Sequence, residues 1–337
     1  MIPSQIKYIL FTLLAVTSTL CCAQNTDSTD FRKFGTLFRA KPKLFSISLK
    51  SVQDFSLNTA SDETTNEKAD VSENLRRDVY LRFPCYIKNG TIIGLNLRYR
   101  HERFRFSNAS KEDYKLFQNL EDNGLRSTGF DAILRRKDKK ERTLTAKLGF
   151  RLNGDSFNEN GLNKFLKVSF FAIRTHTKNK YTNLGYGLSA GYDLGIPVIY
   201  PVFVYQHYFN QHLSVDLNLP KKASLIYGFS DKTFLTWTTE ISGASYHVAR
   251  PLLDGFNNLE LRKSEVRSFL RFEQEIYDFL WFGAELGGMQ YLNFFVSKPK
   301  DRRQDAIINL ETDPAYFFKI GVFLVPPKKV YNDIMGR

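Results

Sequence analysis

Ile93-Gly94-Leu95-Asn96-Leu97-Arg98-Tyr99-Arg100 carries an apolar side chain at every second position, with Gly94, Asn96, Arg98 and Arg100 between them. Successive side chains of an extended chain point to opposite faces, so this octet has one oily face and one polar, charged face. The same period of two returns at Leu144, Ala146, Leu148, Phe150 and Leu152, at Leu184, Tyr186, Leu188, Ala190 and Tyr192, and at Leu213, Val215, Leu217 and Leu219. In a soluble sandwich the oily faces would meet a second sheet; in a barrel they would meet lipid.

The lengths between these stretches favour the barrel. Fourteen strands are predicted near 43–51, 76–87, 91–106, 127–137, 141–153, 164–175, 183–194, 198–209, 212–219, 222–230, 233–248, 258–274, 277–294 and 314–325. The connections after even-numbered strands are mostly tight, as in Lys88-Asn89-Gly90 and Asn210-Gln211. Those after odd-numbered strands include the long polar segments 52–75, 107–126, 154–163 and 295–313. Short turns on one rim and long loops on the other describe an antiparallel transmembrane β-barrel with periplasmic turns and extracellular loops. Gly195-Ile196-Pro197 and Pro220-Lys221 are short where long loops are expected, which leaves twelve strands or one low wall as readings.

The remaining composition agrees with an exported all-β chain. Of 337 residues 42% are hydrophobic, yet after position 25 no uninterrupted apolar run approaches the ~20 residues of a membrane helix. Thirty Phe and 17 Tyr are too many for a disordered chain. Residues 1–23, with Lys7 ahead of Tyr8–Val16 and small residues at Cys21 and Ala23, read as a cleavable signal peptide. Cleavage removes Lys7, taking the net charge from +13 to +12, and leaves Cys85 as the one thiol of the mature chain, so no internal disulfide forms. A flexible segment, 24–41, then precedes the barrel, 42–325, and a tail, 326–337, follows it.

Tyr and Trp near strand ends suit the boundary between hydrocarbon and headgroups: Tyr80, Tyr86, Tyr99, Tyr205, Tyr208, Tyr227, Trp237, Tyr277, Trp281 and Tyr316 are the candidates. Lys319, Gly321, Phe323 and Val325 on the last strand resemble the terminal signal read by barrel assembly machinery. The stretch Asn218–Lys232, with Arg262–Arg267 and Glu273–Trp281, resembles a Bacteroidota family of exported outer-membrane β-barrels of unknown function, as does the Ala23-Gln24 cleavage site. The resemblance covers roughly 76–325; it implies an outer-membrane barrel and no chemistry.

Function then turns on the lumen. With apolar faces toward lipid, the inward set is Arg98, Arg100, Lys147, Arg151, Asp193, Asp216, Glu240, Glu265, Arg267, Arg271, Glu273, Glu285 and Lys319. If these charges pair across the lumen they plug it, giving a structural or binding role in the envelope. If they do not, excess Arg and Lys make a channel favouring small anions. A lipid-modifying enzyme is a third reading, but the sequence has no nucleophile elbow, no phosphate-binding glycine loop and no trusted metal spacing among its five histidines, so no cofactor or catalytic residue is expected. Ser245 and His247 share a face without making a site. The basic residues lack a recognition helix, which argues against nucleic acid and for contact with lipid phosphates, including lipopolysaccharide. Oligomeric state is left open. Tyr114, Phe117 and Leu120 have helical spacing within the loop 111–121, read as a solvated helix rather than a cap.

Overall fold

The computed structural model describes residues 38, 42–60, 68–107, 115–138, 142–157, 162–192, 194–249, 252, 258–299 and 301–326. The signal peptide, Asp193, Tyr114 and nearly all of the tail lie outside the described residues.

Among those residues sixteen strand segments form one sheet: β1 (Phe45–Val52), β2 (Phe55–Ala60), β3 (Lys68–Lys88), β4 (Thr91–Ser107), β5 (Leu125–Lys137), β6 (Arg142–Gly154), β7 (Leu166–Asn179), β8 (Thr182–Gly191), β9 (Val198–Tyr208), β10 (Leu213–Leu219), β11 (Lys222–Gly228), β12 (Thr233–Val248), β13 (Leu259–Tyr277), β14 (Leu280–Ser297), β15 (Ile308–Thr312) and β16 (Ala315–Leu324). Each strand from β3 to β14 pairs with the next, β14 pairs with β16, β16 with β1, and β1 with β3, closing an antiparallel barrel of fourteen strands.

The seam has two storeys. Val52 of β1 lies opposite Asn74 of β3 and Phe317 of β16. Beyond breaks at Gln53–Asp54 and Asp313–Pro314, β2 and β15 take over, joining β3 to β14 through the pairs Phe55–Val71, Asn309–Ala60 and Val296–Ile308. Of the two predicted loops concerned, 52–75 is therefore largely strand, and 295–313 contains the end of β14 and all of β15. They read as loops because the polarity inverts: Phe55, Leu57, Val71 and Leu310 point inward and are buried, while Ser56 and Asn58 lie between the inward residues of β2. Above the hydrocarbon band the solvent outside is water, so a barrel wall adopts the pattern of a soluble protein.

Lower on the wall the outward face is apolar, with Ile47, Leu81, Ile93, Leu97, Leu134, Leu144, Leu148 and Phe170 all exposed. Two of the interfacial candidates turn inward instead. Tyr80 lines a lumen cavity beside Arg82 and Arg98, and Trp281 is buried with Phe234, Phe323 and Val325. Both occupy the inward parity of their strands, which nearness to a strand end does not override. Pro84 sits at a bulge in the β3–β4 ladder, where a missing N–H is tolerated, and Cys85 next to it is exposed.

The wall is uneven. β3 has 21 residues and β13 has 19, whereas β10 and β11 have seven each. Of the readings left open by the short connections, the low wall is the one observed.

Candidate functional site

The upper β12–β13 hairpin leaves the wall at the low side. The β11–β12 ladder ends at Lys222–Glu240, and one further bond joins Ile241 N–H to the Lys221 carbonyl at 2.8 Å. Beyond it β12 crosses to β6, meeting Gly154 through His247 in a parallel bridge, with Asn153 Nδ2 donating to the Ser245 carbonyl at 3.1 Å. Every residue of Leu259–Glu265 is buried, so this part of β13 has protein on both faces. Gly243 marks the crossing: a Cβ there would stand 2.3 Å from the Leu194 carbonyl carbon, and the turn against it is completed by Gly195 at φ +85°.

One face of the hairpin closes an apolar core. Tyr246, Val248, Leu259 and Leu261 pack with Phe104, Phe294, Val296, Ile308 and Leu310. α1 (Lys115–Asp122) inserts Leu116, Phe117 and Leu120 into the same core, each 1% exposed. This corrects the solvated-helix reading: three apolar side chains within two turns gain more by joining an available core than by facing water. Asp155 ties helix and hairpin together, accepting from Asn119 Nδ2 at 2.8 Å and from Ala249 N–H at 2.9 Å.

The other face of the hairpin is polar. Glu260 accepts from Lys167 Nζ on β7 at 2.6 Å, from Ser245 Oγ at 2.9 Å and from Arg262 Nη2 at 2.9 Å. α2 (Leu162–Phe165) supplies Phe165, whose ring meets His247 edge-on at 4.7 Å. Ser245 and His247 therefore serve different contacts and form no nucleophile–base pair.

Beneath the apolar core lies a buried charge network. Arg76 donates Nη1 and Nη2 to the two oxygens of Glu265 at 2.6 and 2.7 Å, Nη2 to Tyr291 Oη at 3.1 Å, and approaches Glu102 with Nε at 2.8 Å. Lys263 Nζ bonds the second oxygen of Glu102, and Lys50 Nζ stands 3.8 Å from Glu265. At this density of opposite charges, geometry and hydrogen bonding decide whether desolvation is offset, and the bidentate fork meets that condition.

Beside this plug the lumen is not filled. A cavity of about 380 Å³ is walled by Arg98, Arg100, Lys147, Arg151, Lys167, Lys221, Lys222 and Arg267 against one carboxylate, Glu240. Several of these cations are paired: Arg267 bonds the lining Glu240 itself, Lys167 reaches Glu260, Asp78 holds Arg100 at 2.6 Å, Asp131 holds Arg151 at 2.8 Å and Asp216 stands 3.8 Å from Lys222. Arg98 has no carboxylate partner among the described residues; its guanidinium lies 6.0 Å from the Tyr80 ring centroid. Tyr192 and Lys221 place the cavity's upper edge at the low wall. A second cavity of about 510 Å³ shares Arg98, Arg100 and Lys222 and continues past Arg82, Arg271 and Lys319 to Lys43, toward the short-turn rim.

The inward candidates divide between these regions. Arg98, Arg100, Lys147, Arg151, Glu240 and Arg267 line the first cavity, and Arg271 and Lys319 the second. Glu265 belongs to the plug. Glu285 lies 2.8 Å from Arg271 and 3.5 Å from Lys319, Glu273 2.5 Å from Lys43, and Asp216 accepts from Gln206 Nε2 at 3.1 Å. Lys50, Arg76, Asp78, Glu102, Asp131, Lys167, Lys222 and Lys263 were not among the candidates. Parity alone finds Lys50 between outward Leu49 and exposed Ser51, and Lys167 before outward Val168. Glu102 continues the inward parity of Arg98 and Arg100 on β4, so the same rule reaches it. No group of three or more potential metal ligands occurs among the described residues.

Fold and lumen together define a closed fourteen-stranded antiparallel barrel with an apolar outward face and a cationic cavity beside a buried charge network. The chain belongs to a family described as a domain of unknown function, DUF6268, whose model matches residues 61–323. No curated protein matches it. Among solved structures it is similar to the COG4313 outer membrane channel from Pseudomonas putida F1, at 10% identity and TM-score 0.40 over 89% of this chain and 100% of that one. It is also similar to a Pseudomonas aeruginosa FadL homologue, at 9% identity and TM-score 0.43 over 84% and 90%, and to the P. putida toluene transporter TodX, at 7% and 0.38 over 86% and 91%.

Proposed function

We propose that the protein is an outer-membrane conduit for small anionic solutes, delivered by cleavage of residues 1–23 and oriented with its short-turn rim toward the periplasm. The Ala23-Gln24 junction and the stretch Asn218–Lys232 support a Bacteroidota origin for this branch of the family. Lys319, Gly321, Phe323 and Val325, at alternate positions of the last strand, support recognition of that strand by barrel assembly machinery.

The observation that carries the reading is the cavity wall of eight cations and one carboxylate. The two cavities share Arg98, Arg100 and Lys222, which supports a solute path beside the apolar core, from Lys43 and Arg82 up to the low rim at Lys221. Cations aimed into such a space favour anions as charged rings do in other pores.

The buried network of Arg76, Glu102, Lys263 and Glu265 favours a second reading, a plugged barrel with a binding or structural role in the envelope. Reconstitution in a planar bilayer under a salt gradient separates the two. Steady conductance with an anion-favouring reversal potential is expected. A folded, heat-modifiable but silent barrel would establish the plug, and a cation-favouring potential would overturn the anionic assignment.

A further inference from the structure

A third basic cluster lies on the outside of the barrel, at the short-turn rim, where the lumen reading gives it no role. Arg136 of β5, Arg142 and Leu144 of β6, and Arg174 of β7 surround a surface depression of about 540 Å³, with Lys137, Asn89 and Asp138 at its edge. The register places Arg136 and Arg174 directly on either side of Leu144. Neighbouring strands are ~4.8 Å apart, so the two arginine backbones stand roughly 10 Å apart with a leucine between them.

Three features point to one kind of ligand. Arg136, Arg142 and Arg174 share the outward parity of Leu134, Leu144 and Phe170, so they face the bilayer and not the lumen. The depression gathers four cations, Arg136, Lys137, Arg142 and Arg174, against one carboxylate, Asp138, whose N–H bonds the Arg142 carbonyl at 2.7 Å. The wall directly above them is bare hydrocarbon contact: Leu134, Leu148 and Phe170 are exposed. An excess of cations at the edge of an apolar band attracts an anion, and arginine forks match phosphate geometry. A ligand with a phosphate at the arginines and acyl chains on the leucines fits both halves.

We propose that Arg136, Arg142 and Arg174 form a binding site for the headgroup phosphate of an anionic glycerophospholipid in the leaflet next to the short-turn rim. The site requires a membrane-spanning barrel but not a conducting one, so it stands or falls separately from the conduit. The three side chains hold the phosphodiester while Leu144 and the apolar wall above it receive the acyl chains.

Native mass spectrometry of the detergent-released barrel, titrated with phosphatidylglycerol or phosphatidylcholine, tests it. Phosphatidylglycerol is expected to stay bound through activation that strips phosphatidylcholine. Each arginine replaced by glutamine is expected to lower phosphatidylglycerol affinity roughly fivefold, a size typical of a basic residue at a charged membrane surface. Lys232→Gln, on the same rim but in the β11–β12 turn, is expected to leave it unchanged. Equal retention of both lipids, no loss in R136Q/R142Q/R174Q, or an equal loss in Lys232→Gln would each overturn the site. Heat modifiability of every variant on a detergent gel establishes that the barrel compared is folded.

Discussion

Arg76 and Glu265, 189 residues apart in sequence, meet through two parallel hydrogen bonds of 2.6 and 2.7 Å inside the barrel. The pair joins β3 to β13, strands that share no ladder, and so ties opposite sides of the seam together across the lumen.

Removing one member strands the other. Glu265→Leu is expected to cost about 3–5 kcal/mol, because Arg76 and Lys50 then lean on Glu102 alone, and Arg76→Leu/Glu265→Leu to cost less than the sum of its parts. Urea unfolding in detergent, followed by the fluorescence of buried Trp281, measures both; strict additivity would mean the pair is not coupled.

The hairpin β12–β13 is held over the lumen by Lys167 on Glu260 at 2.6 Å. Lys167→Met leaves Glu260 buried with one oxygen less satisfied, which favours lifting of the hairpin. Mean single-channel current is expected to rise; an unchanged current would mean that the contacts from Asn153 and Asp155 suffice.

Arg98 makes no ion pair with a carboxylate among the described residues, and its guanidinium lines both cavities. Arg98→Gln is expected to move the reversal potential toward zero, whereas Lys232→Gln, outside the cavity, leaves it in place. The reverse order of effects would place the selectivity at the rim.

Phe117 seats α1 in the apolar core at 1% exposure. Phe117→Ala is expected to cost about 3–5 kcal/mol at that seat, seen as amide exchange of 115–122 accelerated roughly hundredfold or more while the lower barrel stays protected. Uniform acceleration throughout would show that helix and barrel unfold as one unit.

The part of the wall inside the hydrocarbon was legible because outward Ile93, Leu97, Leu144 and Leu148 alternate with inward polar positions on the same strands. The same rule located Arg98, Arg151 and Lys319. It missed β2 and β15, where Phe55, Leu57 and Ile308 face inward and the solvent outside is water. It was equally silent on which charges meet. Arg76-Arg77-Asp78 offers charge at both parities, and pairing Arg76 with Glu265 depends on two strands whose proximity only closure of the ring decides. The inward course of β12 past Glu240 has no local signature beyond Gly243, since a strand buried on both faces and one facing lipid are both apolar in part.

The seven-residue strands β10 and β11 have a further consequence. At ~3.4 Å per residue and a tilt near 40° they rise roughly 18 Å, short of the ~25 Å apolar band that outer-membrane barrels present. Set in such a band, this flank matches a thinner layer of hydrocarbon than the flank of β3 and β13 does. A molecule whose two flanks match different thicknesses has a compass bearing in the plane of the membrane.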